Sequence, residues 1–126
     1  MMELKKMQMQ PARKYKSRLT IKVGQGMYLL DLQEVTCITT RHGIAHACRA
    51  DGKQFPLSST LNELQEQLDP RQFFRINRSD ILHVPYIEKV ESYFNDRLAV
   101  RVHGQKELMI SSTARTPAFR RWLNEQ

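Results

Sequence analysis

No apolar run in this sequence approaches the roughly 20 residues that span a bilayer. The opening stretch, MMELKKMQMQPARKYK, has no apolar segment of the kind a secretory signal carries. Both absences point to a cytoplasmic chain with no membrane insertion. Cysteine is scarce as well. Cys37 and Cys48 cannot form the framework of a secreted disulfide-rich domain. They are equidistant from His42 and Gly43, so a hairpin centred there sets them opposite each other. Two separate reduced thiols or a redox pair would both fit that placement.

Catalytic signatures are missing too. The two cysteines and the histidines His42, His46, His83 and His103 do not fall into a zinc-ligand spacing. There is no P-loop and no G-x-S-x-G, and Gly24-Gln25-Gly26 lacks the third glycine of a dinucleotide fingerprint. The carboxylates are scattered without an acid–base pair. The expectation is a protein that is not an enzyme and holds neither cofactor nor metal. Internal repeats are absent.

Acidic residues are in deficit, and the deficit is uneven. The formal net charge is +7. Residues 1–18 hold six Lys/Arg against Glu3, residues 19–70 four against six acidic groups, and residues 71–126 ten against six. Positive charge is therefore concentrated at the start and in the C-terminal half, which suits a polyanionic partner. Residues 1–17 show no apolar period and contain Pro11. They read as a flexible basic arm preceding one domain over residues 18–126.

Within that domain the pattern has period two. Leu19, Ile21 and Val23 alternate with Thr20 and Lys22 as in a half-buried strand. Further strands are expected at Met27 to Leu32, Val35 to Thr40, Ile44 to Cys48 and Gln54 to Leu57. Gly24-Gln25-Gly26, Arg41-His42-Gly43 and Asp51-Gly52 supply the turns, and Pro56 places its strand at an edge or an end. Thr60 and Glu63 have capping-box spacing ahead of Leu61, Leu64 and Leu68, which marks a short helix ended by Asp69-Pro70. Its Glu63 and Glu66 would repel phosphate, so this helix is expected to face away from nucleic acid. Ile87 to Phe94, Leu98 to Val102 and Leu108 to Ser111 continue the strands. Thr116-Pro117 reads as N-cap and first residue of a last helix, whose Phe119, Trp122 and Leu123 share one face. The class is mainly β: about nine or ten short strands in small packed sheets, with two short helices.

The stretch Phe73 to Val84, FFRINRSDILHV, stands apart. Two apolar segments flank Arg75, Asn77, Arg78, Ser79 and Asp80, as in a strand that runs out to a polar tip and returns to the core. Arginine and asparagine carry the side chains best shaped to grip phosphate and read base edges. Arg41-His42-Gly43 would make a second tip and Ser111 to Arg115 a third. Arg75 is expected to be structural, snorkelling or paired with a carboxylate. Trp122 is expected in the core, and Tyr86, Tyr93 and Phe94 are expected to pack.

The segment Phe73-Phe74-Arg75-Ile76-Asn77-Arg78-Ser79, followed by Ile81 to Val84, Ile87 and Val90, resembles the F-x-R-h-H-R-S-hVN-hxxI block of LytTR-type DNA-binding domains. Glu34 to Ile38, the tip at Arg41 to Gly43, Asp51-Gly52, the helix Thr60 to Leu68 and Ile110-Ser111 fall in register with that family. The likeness covers about residues 19–123. It implies an elongated β fold whose inter-strand loops enter the major groove of double-stranded DNA, and a role in transcription regulation. Carried over, the DNA contacts would be Arg41, His42, Asn77, Arg78, Ser79 and the residue after Ser111. Arg78 would grip guanine, Asn77 would pair with adenine, and Ser79 would bond a phosphate.

Three positions depart from the family pattern. Asn77 stands where the family usually has His, and His83 where it has Asn. Ser112 occupies the place of an expected Arg, for which Arg115 is a candidate substitute. The chain has no room for the receiver domain that commonly accompanies such domains in response regulators. It would then be a stand-alone regulator, or its input would come from a sensor or another regulator protein, and two copies would pair on repeated half-sites. The alternative is a protein-interaction module docking onto a partner regulator or membrane sensor.

Overall fold

The computed structural model describes residues 14–126. It is mainly β, with ten strands and two α-helices among those residues. The strands are β1 (Arg18–Val23), β2 (Gly26–Asp31), β3 (Val35–Arg41), β4 (Ile44–Arg49) and β5 (Gln54–Pro56). After α1 (Leu61–Gln67) come β6 (Phe73–Arg75), β7 (Asp80–His83), β8 (Ile87–Tyr93), β9 (Arg97–Val102) and β10 (Met109–Ile110), and α2 (Thr116–Asn124) closes the series. Three antiparallel sheets result: the pair β1-β2, the central sheet β5-β4-β3-β7-β6, and the sheet β10-β9-β8.

The central sheet is covered on both faces, which explains its nearly continuous apolar strands. Side chains alternate across it. Ile38, Ala47, Phe73 and Ile81 point into a core shared with Leu19, Ile21 and Leu30 of the β1-β2 hairpin and Leu61 and Leu64 of α1. Cys37, Cys48, Phe74 and Leu82 point the other way, against Val100 of β9 and Phe119 and Trp122 of α2. One strand thus feeds two cores, and a slip of one residue would exchange their contents.

Local chemistry fixes the elements. Between β3 and β4, Arg41 pairs with Ile44, and both intervening residues, His42 (φ 51°) and Gly43 (φ 78°), have the positive φ of a two-residue I′ turn. The register counted back from that turn sets Cys37 opposite Cys48, both as buried free thiols. Thr60 caps α1 reciprocally: its hydroxyl accepts from Glu63 N at 3.1 Å, while its own N–H donates to Glu63 Oε1 at 2.8 Å. Pro56 lies in the edge strand β5, as expected.

The second helix starts differently from the sequence reading. Thr116 is its first helical residue and Arg115 precedes it. The Ser112–Arg115 turn is already helical in character, with Arg115 and Thr116 N–H groups both donating to Ser112 O at 3.1 and 3.0 Å. The chain therefore enters the helix without the extended residue that an N-cap requires. The Thr116 hydroxyl donates to Ser112 O at 2.7 Å instead. The expectation that Phe94 packs also fails. It is 75% exposed in the β8–β9 turn, where Asn95 and Asp96 both adopt positive φ. Trp122 is buried, with Nε1 donating to Pro70 O at 2.8 Å.

Of the proposed basic arm, residues 1–13 lie outside the described residues. Lys16 and Ser17 are tied to the domain, Lys16 N donating to Gln67 O at 2.9 Å and Ser17 O accepting from Leu32 N at 3.0 Å.

Candidate nucleic-acid interface

Three loops meet at one end of the central sheet. Strands β3 and β7 are antiparallel neighbours with Thr39 opposite Asp80, so the β3–β4 turn and the β6–β7 turn leave the sheet side by side. Thr40 N–H donates to Ser79 O at 2.8 Å and joins the two. The loop from β10 to α2 is the third member. Ser112 N–H donates to Ile76 O at 2.9 Å, and Asn77 Nδ2 donates to Ile110 O at 2.7 Å.

The tips differ in what they leave available. Arg41, His42, Arg78 and Ser79 are exposed. Among the described residues their side chains make no hydrogen bond or ion pair. Two guanidinium groups, an imidazole and a hydroxyl therefore stand at the surface with their bonding capacity unused. A groove of about 600 Å³ runs beside them, lined by Arg41, Ser79, Asp80 and the Gly104–Met109 segment with Lys106. Sequence reasoning passed over Lys106. Its only signal was a basic residue just after the His103-Gly104 turn.

Asn77, Ser112 and Arg115 are placed beside these tips but are bonded inward. The Asn77 amide donates to Asp80 Oδ2 (2.9 Å) and to Ile110 O, while its Oδ1 accepts from Ser79 N at 2.7 Å. All of that bonding shapes the turn. Ser112 Oγ accepts from Arg115 N at 3.1 Å. Arg115 lies with its guanidinium 4.8 Å from the centre of the Phe74 ring, and Nε donates to Arg75 O at 3.2 Å.

Among the described residues Arg75 has no carboxylate partner. Nε donates to Asn77 O at 3.2 Å and Nη2 to Arg78 O at 2.7 Å, while Nη1 donates to Asn62 Oδ1 and to Gln65 Oε1 of α1. Burial, and then the charges of Arg115 and Arg78, push this guanidinium below its ordinary value. It remains charged, because arginine starts so far above neutrality. The helix α1 thus meets the interface through the uncharged Asn62 and Gln65. Its Glu63 folds back onto the cap.

Elsewhere, His83 is buried under Phe73, with ring centres 4.1 Å apart and planes at 11°, and its Nδ1 lies 2.7 Å from Val35 O. Desolvation lowers its pKa, against a smaller opposing effect of that bond. Among the described residues no three His, Cys, Asp or Glu side chains gather to hold a metal, and no helix is long and apolar enough to cross a membrane.

Comparison with known proteins bears on this arrangement. The model of the LytTr DNA-binding domain family matches residues 25–124. A solved LytTr DNA-binding domain from Bacillus cereus superposes with a TM-score of 0.76 at 19% identity, over 86% of this chain and 97% of that one. Sensory transduction protein LytT of Bacillus subtilis is 22% identical over 96 residues, which is 76% of this chain and 39% of that protein. Transcriptional regulatory protein LytR of Staphylococcus aureus strain N315 is 27% identical over 77 residues, 61% of this chain and 31% of that protein. The chain therefore spans about a third of the length of the LytT and LytR proteins it matches. With ten short strands, two helices and a family match over most of its length, the chain belongs to the LytTr DNA-binding domain family.

Proposed function

We propose that this chain binds double-stranded DNA in a sequence-specific manner as the DNA-reading part of a transcriptional regulator. One observation carries the reading. Two adjacent turns, joined by the Thr40 N–H to Ser79 O bond, expose Arg41, His42 and Arg78 without internal partners. A major groove about 12 Å wide admits such a pair of turns. Arg78 offers a bidentate fork to guanine O6 and N7, and Ser79 offers a hydroxyl to phosphate. Arg41 and His42 read or grip from the neighbouring turn, with Lys106 on the flanking phosphates. Asn77 serves by shaping the turn, in place of the adenine contact that its amide side chain suggests. Ser112 and Arg115 hold the third loop.

So few base-reading side chains cannot specify a genomic site alone, so two copies are expected on repeated half-sites. Selection from a randomised duplex pool tests the reading. A recovered motif bound ~10³-fold or more above scrambled DNA supports it; equal binding to every duplex overturns it.

A second reading, docking onto a partner regulator or sensor, rests on the β1-β2 hairpin. Met27 (71% exposed) and Leu29 lie on its outer face, cross-strand from Lys22 and Thr20. Partner binding that survives neutralising both Arg41 and Arg78 would favour that reading.

A further inference from the structure

The Asn77–Ser79 turn contains no glycine and extends beyond the last β6–β7 pair, Arg75 with Ile81. Its carbonyl groups lie past the end of that ladder. Two of them, Asn77 O and Arg78 O, point back onto one guanidinium, that of Arg75. The same guanidinium reaches α1 through Asn62 and Gln65, so four of its five N–H groups are engaged. The backbone oxygen of Arg75 is held in turn by Arg115 Nε from the third loop. Arg75 is thus bonded to the turn, to α1 and to the β10–α2 loop at once. Lysine has the charge but not the planar fork, and cannot make these bonds together.

We infer that Arg75 is a positioning residue for DNA reading: it sets the aim of Arg78 by drawing the carbonyl oxygens of Asn77 and Arg78 onto a fork anchored on α1. It does so without touching DNA. The inference rests on the proposed DNA-reading role of Arg78. It goes further by naming a residue that governs specificity from behind the interface, and by giving α1 a part in it.

The test uses the whole chain with Arg75→Lys, alongside Asn62→Ala/Gln65→Ala and Arg78→Ala. Affinities are measured for a selected duplex and a scrambled one. Arg75→Lys should weaken binding to the selected duplex about 10-fold, in the range of a lost bidentate base contact. Binding to scrambled DNA should stay within about twofold, because the net charge is kept. Amide ¹H–¹⁵N signals of Asn77, Arg78 and Ser79 should shift in the free protein, while signals of the β1-β2 hairpin stay in place. The α1 double variant, altered only at exposed side chains, should shift the same tip signals and lose selected binding in the same direction, to a smaller extent. It keeps the idea testable should Arg75→Lys not fold. Unmoved tip signals in a folded Arg75→Lys protein would overturn the inference, as would equal losses on both duplexes. Wild-type protein that prefers no duplex would instead overturn the DNA-reading role, and the tip signals would still report separately on positioning.

Discussion

At the scale of single residues, side-chain type and side-chain availability diverge. Arg75, Asn77, Arg78 and Arg115 all carry donors suited to nucleic acid, yet only Arg78 among them has its side chain unengaged. The sequence shows four polar residues near a tip. It does not show that the other three are engaged by carbonyl groups, those of Asn77 and Arg115 lying 33 and 40 positions away, where separate elements meet. His83 makes a sharper case. A buried histidine reads like any other in the string ILHV, but desolvation in the packed core favours its neutral form. Its folded pKa lies below the ordinary value near 6.5, so the unfolded chain takes up the proton first as pH falls. The stabilisation is full above that value. It declines as pH drops below it, and levels off once the folded state protonates too. Denaturant melts from pH 7.5 to 5 should show this slope, and His83→Asn should flatten it; an unchanged slope would remove His83 as the source.

Among elements, the hairpins and α1 were the most legible. A two-residue turn at His42-Gly43 fixes its own register, so the facing of Cys37 and Cys48 follows by counting. The reciprocal cap of α1 was equally plain, because all its groups lie within four residues. Thr60→Ala should cost about 1 kcal/mol, the usual worth of such a cap, seen as a lower denaturation midpoint with an unchanged slope. Elements whose ends depend on distant contacts were less legible. The last strand shrinks to Met109–Ile110: Ser111 N–H still donates to Leu98 O at 2.9 Å, but the returning Leu98 N–H goes to the Ser111 hydroxyl at 2.9 Å instead of its carbonyl. Thr116 lies one position inside the helix for a local reason, the helical turn at Ser112 to Arg115. Its hydroxyl serves the preceding turn.

For the molecule as a whole, the mainly β class and the family were accessible from alternation and from one specific block, FFRINRS. The packing of one sheet between two cores was not, because a period-two pattern with both faces apolar loses its contrast. Net charge of +7 belongs to this scale too. Affinity for DNA should fall linearly with the logarithm of salt concentration, each neutralised phosphate adding about 0.9 to the slope. Lys106→Gln, beside the tips, should reduce that slope by about 1 and leave the preferred sequence unaltered. A salt titration of both proteins on selected and scrambled duplexes would show it, and an altered preferred sequence would assign Lys106 to base reading instead.

The bond from Thr40 N–H to Ser79 O joins two turns through backbone atoms alone. Residues at positions 41, 42, 78 and 79 that accept this backbone, including the positive φ of position 42 and the N–H that position 79 donates to Asn77, inherit the same spacing. On the DNA-reading role proposed for these positions, recognition is portable: a relative's four residues grafted onto this frame should carry their preferred sequence with them, while both cores stay as they are.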